Sequence, residues 1–235
     1  MKVAIMQPYL FPYIGYFQLI AAVDKFVVYD DVNFIKGGWI NRNNILVNKK
    51  SNLFTVPLDN SSSFFLINET KINLKLYSIW KIKFLRTIEQ SYKKAPFFNE
   101  VYSLIANVLD NYEGDLISKL AVASIKSVCE HLKIQTEIIA TSETYNNKRL
   151  SGQERVLDIC SIENATYYIN PIGGLQLYSK EIFKSKNIEL NFIKSYSIAY
   201  KQFDNKFVSW LSIIDTMMFN SVEEINIMLD KYELV

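Results

Sequence analysis

A chain of 235 residues, 49% hydrophobic and 21% charged, carries enough apolar surface to bury a sizeable core. Its 26 basic and 24 acidic residues leave a net charge of +2, which gives no global field toward nucleic acid or a membrane surface, so no nucleic-acid partner is expected. A single histidine, His131, read as structural, and two cysteines without metal-ligand spacing, Cys129 and Cys160, give no basis for a Ser-His-Asp triad or a histidine-rich zinc site; two buried free thiols in a reducing cytoplasm are expected.

Residues 2–6, KVAIM, read as a buried strand, and 13–23 as a helix carrying Ile14, Phe17, Leu19 and Ile20. KFVVYDD, residues 25–31, reads as a second strand ending in two carboxylates. Strand, helix and strand within 30 residues make a βαβ unit with parallel strands and a right-handed crossover. Residues 43–58 read as a hairpin turning at 49–52, and 59–73 as a polar loop with a short strand near Lys71. From 75 to 132 the pattern is helical in three pieces, broken near Pro96 and Gly114. His131 falls late in the third piece, where a cationic side chain suits the helix dipole.

Alternation then returns, with strands at 137–141, 166–170 and 189–193 and helices at 152–162 and 180–186. Two last helices are expected at 209–219 and 221–231. The expected fold is a single α/β domain over 1–235: a Rossmann-like, mainly parallel, doubly wound sheet with an inserted hairpin and a helical block at about 75–133. No stretch of about 18 apolar residues is present, and no basic segment precedes the first apolar run. A cytoplasmic protein without membrane insertion is expected.

In an open parallel sheet, ligands bind outside the carboxyl ends of the strands. Three loops at such ends carry unusual residues. The first, MQPYLFPYIGYFQLI (6–20), offers Gln7, Tyr9, Tyr13 and Tyr16, with Gly15 at a helix start where a ligand or another backbone can approach closely; core packing is its alternative reading. The second, YDDVNFIKGGWINRN (29–43), holds Asp30, Asp31, Lys36, Trp39, Asn41 and Arg42. Paired carboxylates suit a magnesium ion or an amine, and the cations suit phosphates; a solvated loop with internal ion pairs is the alternative. In the third, Ser151 and Glu154 have capping-box spacing, while Arg155, Asn170, Gly173 and Gly174 need another account, either a ligand contact or a tight turn.

These stretches, with SGQERVLDIC, YYINPIGGLQLY and SWLSIIDTMMFN, run in one order along the chain and resemble the WbqC-like family. That resemblance implies a role in bacterial O-antigen or related surface-polysaccharide synthesis. FPYIGYFQLIAAVDKFVVYD is similar, more weakly, to the opening of HxGH-type nucleotidyltransferases and pantothenate synthetases. On that overlay Tyr13 and Tyr16 take the histidine positions and Gly15 the glycine, although tyrosine is an uncharged donor and a poorer phosphate clamp.

The expected activity is a transferase modifying a nucleotide-linked amino sugar by N-acylation or N-aminoacylation. Asp30 or Asp31 would be the base, Lys36 and Arg42 would hold the pyrophosphate, and Tyr9, Tyr13 and Trp39 would be stacking surfaces. ATP and magnesium stand open as cofactors, with no metal-ligand set assigned, and the oligomeric state is not set by the sequence. A nucleotidyltransferase, or a nucleotide-sugar-binding protein without turnover, are the alternatives.

Overall fold

The computed structural model describes residues 1–59, 61–204 and 206–235. A central strand β1 (Lys2–Met6) pairs in parallel with β2 (Lys25–Val28) on one side and β6 (Tyr167–Pro171) on the other. Beyond β2 lies β5 (Glu137–Ile139), and beyond β6 lies β7 (Glu189–Ser195), both also parallel. A short strand β8 (Tyr232–Leu234), not expected from sequence, closes the edge antiparallel to β7. The order β5-β2-β1-β6-β7-β8 bears out the α/β, Rossmann-like expectation of a mainly parallel sheet.

These strands read as continuous apolar runs because both faces are covered. With a period of two, Ala4, Phe26, Val28, Ile169 and Ile193 enter one large core. Val3, Ile5, Val27, Tyr168, Leu190 and Phe192 enter a second, smaller one. The large core is filled by α1 (Ile14–Ala21), α4 (Ile117–His131), α7 (Ile213–Phe219) and α8 (Val222–Leu229), among others. The smaller core is filled by α5 (Gly152–Ile162) and α6 (Lys180–Ser185). Both cysteines are buried there as free thiols, Cys129 in the first core and Cys160 in the second, and burial pushes each up to about 12, far from thiolate reactivity.

The hairpin is β3 (Arg42–Val47) against β4 (Lys50–Thr55), and the three-piece helical block is α2 (Leu74–Tyr92), α3 (Phe98–Asp110) and α4. The hairpin turns at Asn48-Lys49, earlier than the expected 49–52. Both residues have positive φ, 48° and 66°, the backbone that a two-residue hairpin turn requires. The penultimate helix begins at Ile213 rather than near 209, because Trp210 turns the chain at φ 61° and the Ser212 hydroxyl then caps the Ile214 N–H at 3.2 Å. His131 ends α4 and faces Glu100 at 3.4 Å.

The expected capping box at Ser151 does not form: its side chain makes no cap hydrogen bond, and the next residue, Gly152, lies at φ 53° and turns the helix entry away. Ser151→Ala should therefore change stability by no more than about 0.5 kcal/mol, where a working cap would give about 0.5–2 kcal/mol; urea unfolding of the two proteins measures the difference.

Candidate functional site

The switch in strand order falls between β1 and β6, so the loops after β1, β2, β6 and β7 surround the ligand-binding end of the sheet. The loop after β1 is held by side chains from three distant elements. Phe11 sits fully buried at φ 41°. Its N–H donates to Ser124 Oγ of α4 at 3.1 Å, and its carbonyl accepts from Asn43 Nδ2 of β3 at 2.8 Å and Ser212 Oγ at 2.6 Å. The Pro12 carbonyl accepts from the Ile213 N–H at 2.9 Å. Tyr16 is buried and donates back to the Gln7 carbonyl at 2.8 Å. Tyr9 packs on Tyr16 with ring centroids 5.5 Å apart. Gly15 lies under the Tyr13 ring and beside Ser195, and a Cβ there would collide with that ring.

The carboxylates after β2 are both buried. Arg155, itself buried, grips Asp31 with Nη2 at 2.7 and 2.6 Å from the two carboxylate oxygens. Its Nε donates to Asn147 Oδ1 at 2.8 Å, and its guanidinium lies 5.0 Å from the Tyr29 ring centre. The Ser142 hydroxyl also donates to Asp31. Asp30 accepts from Thr141 Oγ1 at 2.7 Å and the Ser142 N–H at 3.1 Å, and burial raises its carboxyl above the usual range. A carboxylate this committed to an arginine has little left for magnesium or an amine, so Asp31 ties α5 to the β2 loop. Among the described residues, no group of three or more His, Cys, Asp or Glu side chains could hold a metal ion.

The cations expected to hold phosphate are placed differently. Arg42 folds back on its own loop, donating from Nε to the Gly38 carbonyl at 3.0 Å and from Nη2 to the Gly37 carbonyl, 5.8 Å from the half-exposed Trp39 ring. Lys36 is exposed. Asn41 is consumed in the hairpin, its Nδ2 donating to the Val56 carbonyl at 2.9 Å. After β6, Asn170 is buried and packs over Gly174, where a Cβ would collide with the side-chain amide, whereas Gly173 has open space around it.

A cavity of about 340 Å³ opens where the start of α1 faces the end of β7. Tyr13, Tyr196, Phe207 and Trp210 supply ring surface, and Ser195, Ser197 and Ser209 supply hydroxyls. Trp210 is 75% exposed, and its ring centre is 5.8 Å from that of Tyr13. Tyr200 and Thr216 complete the wall. Behind them lies Asp215, fully buried, accepting from Tyr200 Oη at 2.7 Å, Gln202 Nε2 at 2.6 Å and Tyr92 Oη at 2.9 Å. Burial raises its carboxyl, as it raises the Tyr200 hydroxyl. Of the residues expected from sequence, the cavity gathers Tyr13 and Gly15; Tyr200, Trp210 and Asp215 were not expected. The sequence signal for Asp215 is a lone carboxylate in the apolar run LSIIDTMMF.

The model of the WbqC-like protein family matches residues 7–227, and the chain belongs to that family. It is also similar to a Mycobacterium tuberculosis (strain ATCC 25618 / H37Rv) protein, "Uncharacterized protein Rv1507c", at 29% identity over 222 residues covering 93% of each chain. No solved structure matches it.

Arg155→Ala strands the buried Asp31 carboxylate and should cost about 3–5 kcal/mol of stability, read from urea unfolding. Asp215 has a folded-state carboxyl raised above its unfolded value, so the native state holds the proton more tightly and this group's contribution falls as pH rises through the folded value. The stability lead of the parent over Asp215→Asn should therefore shrink as pH rises from about 4 toward neutrality, the unfolded group titrating near 3.9; thermal melts across that range check the sign.

Proposed function

We propose that this member of the WbqC-like family is a transferase that modifies a nucleotide-linked amino sugar, by N-acylation or N-aminoacylation, in O-antigen or related surface-polysaccharide synthesis. The cavity between α1 and β7 carries the reading. Its rings suit the flat face of a base or a pyranose, and its serine hydroxyls suit sugar hydroxyls. The Ile14 and Gly15 amides at the start of α1, where Tyr13 gives no side-chain cap, suit a phosphate. Among the described residues no arginine or lysine lines it, so recognition rests on stacking and neutral donors.

The reaction needs a base for the amine proton. The amine nitrogen attacks the carbonyl carbon of an activated acyl donor, a thioester or acyl phosphate. The new C–N bond forms as the bond to sulfur or phosphate oxygen breaks, and the leaving group departs with its electron pair. Tyr200 takes the amine proton while passing its own to Asp215, so the tyrosine stays neutral and the carboxylate becomes the acid. A buried carboxyl whose affinity for a proton is already raised suits that role.

The purified protein, given uridine- or thymidine-diphosphate amino sugars with an acyl-thioester, or with ATP and an amino acid, should add the mass of the acyl group to the sugar. Tyr200→Phe should lower turnover by about 10²–10⁴-fold with KM near the parent value. Trp210→Ala should weaken binding of the nucleotide sugar by about 1–3 kcal/mol, the worth of a stacked base, measured by calorimetry. Absence of both mass gain and binding with every pairing would overturn the reading; binding without turnover would leave a nucleotide-sugar-binding protein.

A further inference from the structure

Helix α2 buries Tyr77, Phe84, Ile88 and Tyr92 on one side, as an amphipathic helix should. Its other side is not simply polar. Leu76, Ile79 and Ile82 are 53, 54 and 51% exposed. At 100° per residue, Ile79 and Ile82 lie on the outward line shared with Lys75, Lys83 and Arg86, opposite the buried set, and Leu76 flanks it. The stripe from residue 75 to 86 spans about 16 Å. Among the described residues, Lys75, Lys83 and Arg86 make no ion pair, while Lys81 is held by Asp110 at 2.6 Å. The one acidic residue in the helix, Glu89, lies beyond the stripe and 3.7 Å from Lys93.

We propose that this face of α2 docks on an anionic lipid surface, with the helix lying along it. Two alternatives fit less well. A second copy meeting the same face across a two-fold axis would set three cations of one chain against three of the other. Nucleic acid would satisfy the cations but leave the aliphatic side chains against a phosphate backbone, whereas a bilayer takes acyl contact and headgroup charge at one depth. The juxtaposition is therefore branched apolar side chains at the level of fixed positive charge. No helix among the described residues is long and apolar enough to cross a membrane, so the contact lies on the surface. This inference stands independently of the transferase reading.

The test is sedimentation of the full chain with sucrose-loaded vesicles of phosphatidylcholine with and without phosphatidylglycerol, at low and raised salt. Binding is expected only to the anionic vesicles and should weaken with salt. Lys75→Glu, Lys83→Glu and Arg86→Glu together should lower partitioning by at least about a hundredfold. Ile79→Asp with Ile82→Asp should lower it as well, while Lys184→Glu with Lys186→Glu, on and just after α6, should not. Circular dichroism melts establish that each variant is folded, and being exposed, none should unfold the chain. Failure of the parent to bind, or equal losses in the α6 variant, overturns the proposal. So does a concentration-dependent dimer, seen by sedimentation equilibrium, that the α2 changes abolish.

Discussion

A buried phenylalanine in the left-handed region, with a proline after it, is an expensive backbone to hold. Phe11 at φ 41° carries a strain of about 1–3 kcal/mol, and a residue before proline ordinarily prefers an extended conformation. Four hydrogen bonds to the Phe11 and Pro12 backbone, each with a net worth of about 0.5–1.5 kcal/mol, offset it. The donors and acceptors come from α4, β3 and the start of α7, so the helical block, the hairpin and the C-terminal helices together hold the strained turn. In return the turn sets where α1 begins and aims Tyr13 over Gly15 toward the end of β7. The crowded rings of the opening loop are thus part core and part cavity wall: Phe11, Tyr16 and Phe17 are buried, while Tyr13 faces the cavity.

Two buried acids show how differently a carboxylate can be stabilised. Asp31 has a full counter-charge in Arg155, and removing one partner would leave the other unpaired in a low dielectric, so the pair is fixed structure. Among the described residues Asp215 has no cationic partner; two phenols and an amide hold it, together with its place in the first turn of α7. Hydrogen bonds favour its charged form and burial opposes it, and burial wins. A group balanced in this way changes protonation at lower cost than one locked to a guanidinium. Between the two, it is the better seat for proton transfer.

The sheet was legible because its strands are apolar on both faces, a pattern that needs no knowledge of partners. Residues 2–6, 25–28, 137–139 and 167–171 pair in parallel as their composition implied. Lys49 to Asn52 is polar enough to turn, whereas the pairing register puts the turn at Asn48 and Lys49, which adopt positive φ. β8 leaves no signal in the sequence because three residues, YEL, have no periodicity. Site residues were harder. Asp31 and Arg155 are 124 positions apart, and neither residue type announces that the other will cancel its charge. Asn41 and Arg42 likewise spend their donors on local carbonyls, a choice made by loop conformation and invisible in a string of letters.

Trp210 shows the cavity's logic at its lip. A bulky residue at φ 61° is strained, and one that is also three-quarters exposed recovers none of the strain by burying its own ring. The compensation comes from its flanks: Gln202 ties the Val208 backbone through both ends of its amide, at 2.7 and 3.0 Å, and Ser212 anchors the other side to Phe11. Gln202 in turn reaches Asp215. The chain on either side of the exposed indole, the strained opening turn and the buried acid are therefore tied into one hydrogen-bonded frame. A flat ligand entering beside Tyr13 would meet an aromatic surface already held in place, so little ordering cost would fall on binding. The Tyr200 hydroxyl, donating to Asp215 at 2.7 Å, extends the same frame to the cavity wall, so the cavity's rings and the buried acid share one support.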